Sequence, residues 1–326
     1  MKAILCKQHG PPESLVYEDT ADPTAEAGEV VIDVKAAGVN FPDTLIIENK
    51  YQFKPDLPFS PGGEVVGIVS QVGAGVKHLK KGDRAMALMT FGGFAEKARV
   101  PGQTALPIPE EMPFTDAAGF PLVYGTVIYA LKQRARLQKG ETLLVNGAAG
   151  GVGLAAVQLG KIMGARVIAA ASTDEKLAIC KQHGADELIN YSEDTPFKEQ
   201  VKALTDGQGA DVIFDPVGGD IFDQCLSCIN WNGRLLVIGF ASGTIPSAAA
   251  NRILLKNCAV MGVFWGRFTA LEPEANLANF RQLLKWYSAG EFRPEVSQTY
   301  RLENAAQALN DMLARKATGK LVLTVD

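Results

Sequence analysis

The sequence predicts an α/β protein: a six-stranded, doubly wound parallel sheet beside a separate β-rich region. Three observations carry this. A glycine-rich turn, Val145-Asn146-Gly147-Ala148-Ala149-Gly150-Gly151-Val152-Gly153, joins an apolar run at 142–145 to an apolar-periodic segment at 154–163. Strand-like and helical segments then alternate as far as residue 264, which is the signature of parallel strands joined by crossover helices. Residues 1–120 read differently, as short apolar runs punctuated by Gly and Pro.

In the first region the apolar runs are 30–34, 65–72, 84–88 and 95–100. Turns fall at Pro11-Pro12, Pro61-Gly62-Gly63, Lys81-Gly82-Asp83 and Gly92-Gly93, a spacing that suits a small barrel or sandwich. From 115 to 131 the pattern turns helical, with a break at Pro121. Six strands follow, at 142–145, 166–171, 187–191, 211–214, 234–238 and 259–264, with helices at 174–183, 196–205 and 221–229. Beyond Gly266 two amphipathic helices are expected. In 273–289, Leu277, Phe280, Leu284 and Tyr287 recur at helical spacing between a starting Pro and the stop at Gly290; 303–315 is the second. A last strand at 320–325 is expected to return to the first region. The expected domains are therefore 1–122 with 267–326, and an inserted 123–266.

The glycine turn points to a dinucleotide. A helix N-terminus offers unpaired N–H groups and a positive dipole end to a pyrophosphate, and small residues let the backbone approach it. The chain reads Ala148-x-Gly150-x-x-Gly153 where the common pattern is G-x-G-x-x-G. An NAD-type unit ends its second strand in Asp or Glu about 20 residues on, to bind the ribose 2′-hydroxyl. Here that position, 19 residues after Gly153, is Ser172. A small hydroxyl leaves room for a 2′-phosphate, and Lys176 lies one helical turn further as a point charge. NADPH is therefore favoured. The competing reading makes Ser172 or Thr173 a helix cap and Lys176 a solvated residue.

Bulk properties fit a soluble enzyme of two domains: 326 residues, 47% hydrophobic and 21% charged. A net charge of −4 implies no nucleic-acid or anionic membrane partner. No apolar run approaches the roughly 20 residues of a membrane span, and no signal-type apolar region opens the chain, so a cytoplasmic location is expected. Five scattered cysteines argue against a disulfide framework. Cys225-Leu226-Ser227-Cys228 spells C-x-x-C without a second pair or a nearby His, which favours buried helix residues over a zinc or redox pair.

The layout resembles the medium-chain dehydrogenase/reductase superfamily. It is most similar to the zinc-independent NADPH:quinone oxidoreductases, and especially to the quinone-oxidoreductase-like protein 2 group. The resemblance spans the chain through 37–43 (AGVNFPD), 61–64 (PGGE), 81–84 (KGDR), 147–153, 262–267 (GVFWGR) and 318–320 (TGK). It implies a GroES-like β-rich catalytic domain beside a Rossmann domain. Where the zinc alcohol dehydrogenases carry a ligand cysteine this chain has Asn40, and their ligand histidine aligns with Gly63. Glu64 alone cannot make a catalytic zinc site, which needs about three protein ligands, so no metal is expected.

The resemblance implies hydride transfer to small hydrophobic quinones, or to enones and enoyl-CoA thioesters of the acrylyl or crotonyl type. A third alternative is a non-catalytic, crystallin-like NADPH-binding protein. It places Asn40 near the nicotinamide ribose and substrate with Asp43 supporting the loop, Tyr51 in the substrate cleft and Thr126 on the nicotinamide side. Tyr51 is then a proton donor or a half-buried surface ring, and Thr126 a contact or a packing residue. Ala149, Gly150, Gly151, Val152, Ser172, Lys176 and Tyr191 are expected along the phosphates, with Tyr191 otherwise a plain edge aromatic. Gly239, Phe240, Phe264, Trp265 and Gly266, at the ends of the fifth and sixth strands, are expected to border the nicotinamide, although Phe264 and Trp265 also suit packing. Lys320 is a further cofactor-side candidate. A homodimer through the edge of the sixth strand is the family expectation.

Overall fold

The computed structural model describes residues 1–192 and 194–325. They divide into two compact units, Met1–Leu122 with Arg293–Asp326, and Val123–Phe292. The segment 267–292, expected with the terminal unit, belongs to the central one. Its packing explains why. The Trp265 indole lies where a Cβ on Gly125 would fall, 2.3 Å from its ring, and donates to Asn276 at 3.1 Å. Asn279 accepts from Lys132 and Gln133, which anchors the helix Pro273–Ser288 to the same unit.

The central unit is a six-stranded parallel sheet in the order Glu187–Asn190, Arg166–Ala171, Thr142–Val145, Ala210–Asp215, Ile229–Val237 and Ala259–Gly262. The first strand in sequence is third in space, so the chain reverses direction between Thr142–Val145 and Ala210–Asp215. Ligands in such sheets bind beyond the carboxyl ends of the strands at this reversal. The middle strands are apolar without alternation because helices cover both faces; Leu143, Leu144, Val145, Ile213 and Phe214 are fully buried.

Two expectations fail at the sheet's far side. The sixth strand, expected to run to 264, ends at Gly262, and Phe264 caps a helix, Trp265–Leu271, where the end of the strand was expected. A helix at Ala250–Lys256 was not foreseen; it buries none of its side chains, so it has no apolar stripe to read.

The terminal unit holds a seven-stranded sheet in the order Val296–Arg301, Lys320–Thr324, Glu29–Val39, Glu64–Val72, Arg84–Leu88 and Ala105–Pro107, with Lys97–Pro101 pairing the long Glu29–Val39 strand. Lys320–Thr324 returns here as expected, antiparallel to Glu29–Val39 with Leu321 opposite Val39. On the other side Ala37 faces Val65. This register brings the residues beside those pairs, Lys320, Asn40 and Glu64, together at one end of three neighbouring strands. A short helix, Phe41–Ile47, starts at Asn40, whose backbone N–H is accepted by Asp43 Oδ2 at 2.8 Å. No helix among the described residues is long and apolar enough to cross a membrane.

Candidate functional site

In the central unit the turn after Thr142–Val145 takes a shape that only glycine allows at two points. Gly147 has φ +55°, and a Cβ on Gly153 would lie 2.3 Å from the Gly147 carbonyl oxygen. Gly150 is the N-cap of the helix Gly151–Ile162, and no side chain caps it. The amides of Gly151, Val152 and Gly153 belong to its first turn and have no acceptor within the helix. Ala149 is buried beside them. The result is a short backbone cradle for an anion, with the helix dipole behind it.

Side chains beneath the cradle hold it in place. Asn146 donates to Asp215 Oδ1 at 3.1 Å and to Cys225 Sγ at 3.2 Å. Asp215 also accepts from the amides of Val217 and Gly218, which shapes the turn after the fourth strand. Burial pushes the Asp215 carboxyl above its ordinary range despite these bonds. Cys225 and Cys228 are both buried, and burial raises the Cys225 thiol well above its usual value, so this pair is packing rather than a reactive dithiol. Gly147 approaches Val217, while Gly218 approaches Phe240. The glycine turn, the 215–218 turn and Gly239-Phe240 thus line the carboxyl ends of the first, fourth and fifth strands.

The second and third strand ends lie on the other side of the turn. Ser172 follows Arg166–Ala171 directly, and its carbonyl accepts from Ser192 Oγ at 3.0 Å. Thr173 is the N-cap of the helix Asp174–Gln182 and accepts from the Lys176 amide at 3.4 Å. Asp174 is engaged by Asn190 Nδ2 at 2.9 Å rather than standing where an NAD-type acid would. Tyr191 comes directly after the third strand, its amide bonded to the Ala171 carbonyl. Ser172, Lys176 and Tyr191 are therefore gathered at two adjacent strand ends.

The remaining central candidates scatter. Thr126 is half-buried in the helix Pro121–Ile128. Trp265 is a core side chain, 5% exposed and packed on Gly125 and Phe280. Phe264 is 50% exposed, and Gly266 lies within the following helix.

The terminal unit holds a buried polar cluster that the sequence reading only touched. Asn40, Asp43, Glu64 and Lys320 are all at most 4% exposed. Lys320 Nζ donates to Val39 O at 3.0 Å, Asn40 Oδ1 at 2.6 Å and Glu64 Oε1 at 2.8 Å. Asn40 Nδ2 donates to Glu64 Oε1 at 2.7 Å and to Gly38 O at 3.3 Å. Glu64 Oε2 accepts from the Leu122 amide at 2.8 Å. Burial pushes the Asp43 carboxyl up to about 7, against the lowering effect of the Asn40 and Gly62 amides and the Lys320 charge. Tyr51 follows the same loop, half-buried, with its ring 5.9 Å from that of Phe53. Burial, and then the Asp43 charge, raise its hydroxyl, so Tyr51 keeps its proton at neutral pH.

These residues do not fit a zinc ion. Glu64 is bonded to an ammonium, an amide and a backbone N–H, and a second cation there would face the Lys320 charge at contact distance. Among the described residues no group of three or more His, Cys, Asp or Glu is arranged to hold a metal. One signal could have found the partnership of Glu64 and Lys320: each stands directly before buried apolar residues, Val65-Val66 and Leu321-Val322-Leu323, where a charge demands a counter-charge.

Two family models match the chain: a zinc-binding dehydrogenase model over residues 151–288 and an alcohol dehydrogenase GroES-like domain over residues 26–110. A quinone oxidoreductase-like protein 2 homolog from Nematostella vectensis is 42% identical over 99% of this chain and 88% of its own length. The quinone oxidoreductase of Thermus thermophilus, solved alone and in complex with NADPH, is 37% identical with a TM-score of 0.86 over the full length of both chains. The Escherichia coli quinone oxidoreductase complexed with NADPH is 29% identical with a TM-score of 0.92, again over both full chains.

Proposed function

This chain belongs to the quinone oxidoreductase family of zinc-independent medium-chain dehydrogenase/reductases, and from that premise we propose that it reduces small hydrophobic quinones with NADPH and without a metal. The observation that carries the cofactor is the uncapped helix N-terminus behind a glycine turn at the sheet's reversal point, with no acid at the end of the second strand. NADPH, when bound, supplies the hydride. Gly151 and Val152 bind its pyrophosphate through their open backbone amides, and Gly150, whose own amide is bonded to the Gly147 carbonyl, lets the chain approach it beside Ala149. Ser172, Lys176 and Tyr191 receive the 2′-phosphate, with Lys176 supplying the charge. Gly239 and Phe240, with Thr126 and the exposed ring of Phe264, border the nicotinamide side.

On the acceptor side, the Asn40 loop and Tyr51 orient a flat carbonyl compound, and Tyr51 gives a proton to the oxygen that gains charge. The Tyr51 hydroxyl holds its proton at neutral pH, as a donor must, while burial makes it a weaker acid than a free tyrosine. Small quinones are favoured over CoA thioesters by the names of the relatives. The test is NADPH consumption against naphthoquinone, a simple enone and crotonyl-CoA, with and without EDTA. Chelator-resistant turnover of naphthoquinone is expected. Turnover confined to the enone or the thioester would move the assignment to double-bond reduction, and zinc-restored activity would overturn the metal-free mechanism.

The active form is proposed to be a homodimer through the sheet edge Ala259–Gly262. Among the described residues this strand pairs on one side only, and Leu254 and Leu255 on the preceding helix are 77% and 75% exposed. Light scattering that returned the mass of one chain would remove this proposal.

A further inference from the structure

We infer that Lys320 is a positioning residue that holds the Asn40 amide through a closed, ion-paired network, and that it makes no contact with the cofactor. The inference rests on the reading that the chain binds NADPH, and it reassigns a lysine that the sequence placed on the cofactor side.

The register produces the network. Leu321 opposite Val39 sets Lys320 beside Asn40, and Ala37 opposite Val65 sets Glu64 on the other side of the same strand end. Asn40 therefore sits between a cation and an anion supplied by its two neighbouring strands.

Donor counting closes the case against a direct role. A lysine ammonium has three donors, and all three are used, on Val39 O, Asn40 Oδ1 and Glu64 Oε1. None remains for a phosphate. The two amide hydrogens of Asn40 are likewise used, on Glu64 Oε1 and Gly38 O. The 2.6 Å bond from Lys320 to Asn40 Oδ1 fixes which way the amide faces. Gly38 is an independent sign that the carboxylate is packed into place. A Cβ there would lie 2.2 Å from Glu64 Oε1 and 2.3 Å from the Ala118 carbonyl oxygen. The backbone has thus been thinned to seat the charge.

The network acts through the loop that Asn40 begins. Asn40 is the N-cap of the Phe41–Ile47 helix, and its amide N–H is held by Asp43. Tyr51 lies beyond that helix. Fixing Asn40 between Lys320 and Glu64 fixes the origin of the acceptor-side loop.

Lys320→Met removes the cation and leaves Glu64 buried without its counter-charge. Combining it with Glu64→Gln removes both charges. Expected for Lys320→Met is a fall in kcat of about tenfold or more with the NADPH Kd within about twofold of the parent. Expected for the double variant is a melting temperature closer to the parent than that of Lys320→Met, a strong non-additivity. A Lys320→Met variant that binds NADPH about tenfold more weakly, with an unchanged melting temperature, would overturn the inference. So would simple additivity of the two substitutions.

If Lys320→Met does not fold, the unaltered protein decides. Labelled with pyridoxal phosphate, an anionic lysine reagent, and mapped by peptide, it should show Lys320 unmodified with or without NADPH. Labelling of Lys320 that NADPH prevents would place it on the cofactor. The stability coupling is measured without NADPH, so failure of the parent to bind NADPH would sink the cofactor reading alone.

Discussion

The glycine turn of the central unit and the Asn40–Glu64–Lys320 cluster of the terminal unit build a site in opposite ways. The first is made of backbone and leaves its donors open: the first-turn amides behind Gly150 have no capping side chain. The second is made of charged side chains and leaves nothing open, since every donor of Lys320 and Asn40 is already used. An open set of fixed dipoles can bind an anion without reorganising. A closed ion-paired set cannot bind, but it holds a neighbouring segment in one geometry. Binding and positioning are thus separated, and each region should fail in its own manner.

The largest effect should come from closing the open region. In Gly153→Val the new side chain must displace the Gly147 carbonyl, 2.3 Å from its Cβ position. NADPH affinity should fall by about 100-fold or more, equivalent to roughly 3 kcal/mol, read by titration. An unchanged Kd would show that the turn is not the cradle.

Next in size is the closed region's seat. Gly38→Ala drives a methyl into Glu64 and the Ala118 carbonyl, and should destabilise the protein by about 2–3 kcal/mol in urea unfolding. Its NADPH affinity should stay near the parent value. A loss of affinity at unchanged stability would reverse the roles assigned to the two regions.

A smaller effect is expected at the 2′-phosphate. Lys176→Ala should raise the KM for NADPH about tenfold while leaving that for NADH almost unchanged, because only NADPH carries the extra phosphate. Equal changes would remove Lys176 from that role.

The smallest concerns pH. Burial raises the Asp43 carboxyl from 3.8 to about 7, so the folded state holds a proton that the unfolded state has released. Asp43 therefore favours folding at low pH, and that contribution is lost as pH rises from about 4 to about 7. Asp43→Asn should flatten this part of the stability–pH curve. An unchanged slope would show that Asp43 is ionised throughout.

The fold was readable where the physical signal is local. The strands Thr142–Val145 and Arg166–Ala171 fall where the sequence put them, because each is a continuous apolar run bounded by turn residues. The fifth strand begins at Ile229, earlier than expected, because exposed Trp231 and Asn232 and a register irregularity hide its start. Trp265 was left open between pocket wall and packing, and the structure decides for packing. An aromatic after a strand reads as pocket wall, but the missing side chain at Gly125, far away in sequence, makes room for it in the core. Asn40 and Lys320 were each picked out, yet their contact spans 280 residues of chain and depends on strand register, which no local pattern encodes. Helix Phe41–Ile47 was not foreseen: the segment was read as a loop, and seven residues are too few to show an apolar stripe.

The most direct test of the account is a calorimetric titration of the intact protein with NADPH and, in parallel, NADH. Binding of NADPH at least about tenfold tighter than NADH is predicted, because the Ser172–Lys176 strand end is proposed to accept a 2′-phosphate where an acid would bind a ribose hydroxyl. Tighter binding of NADH, or binding of neither, would contradict it.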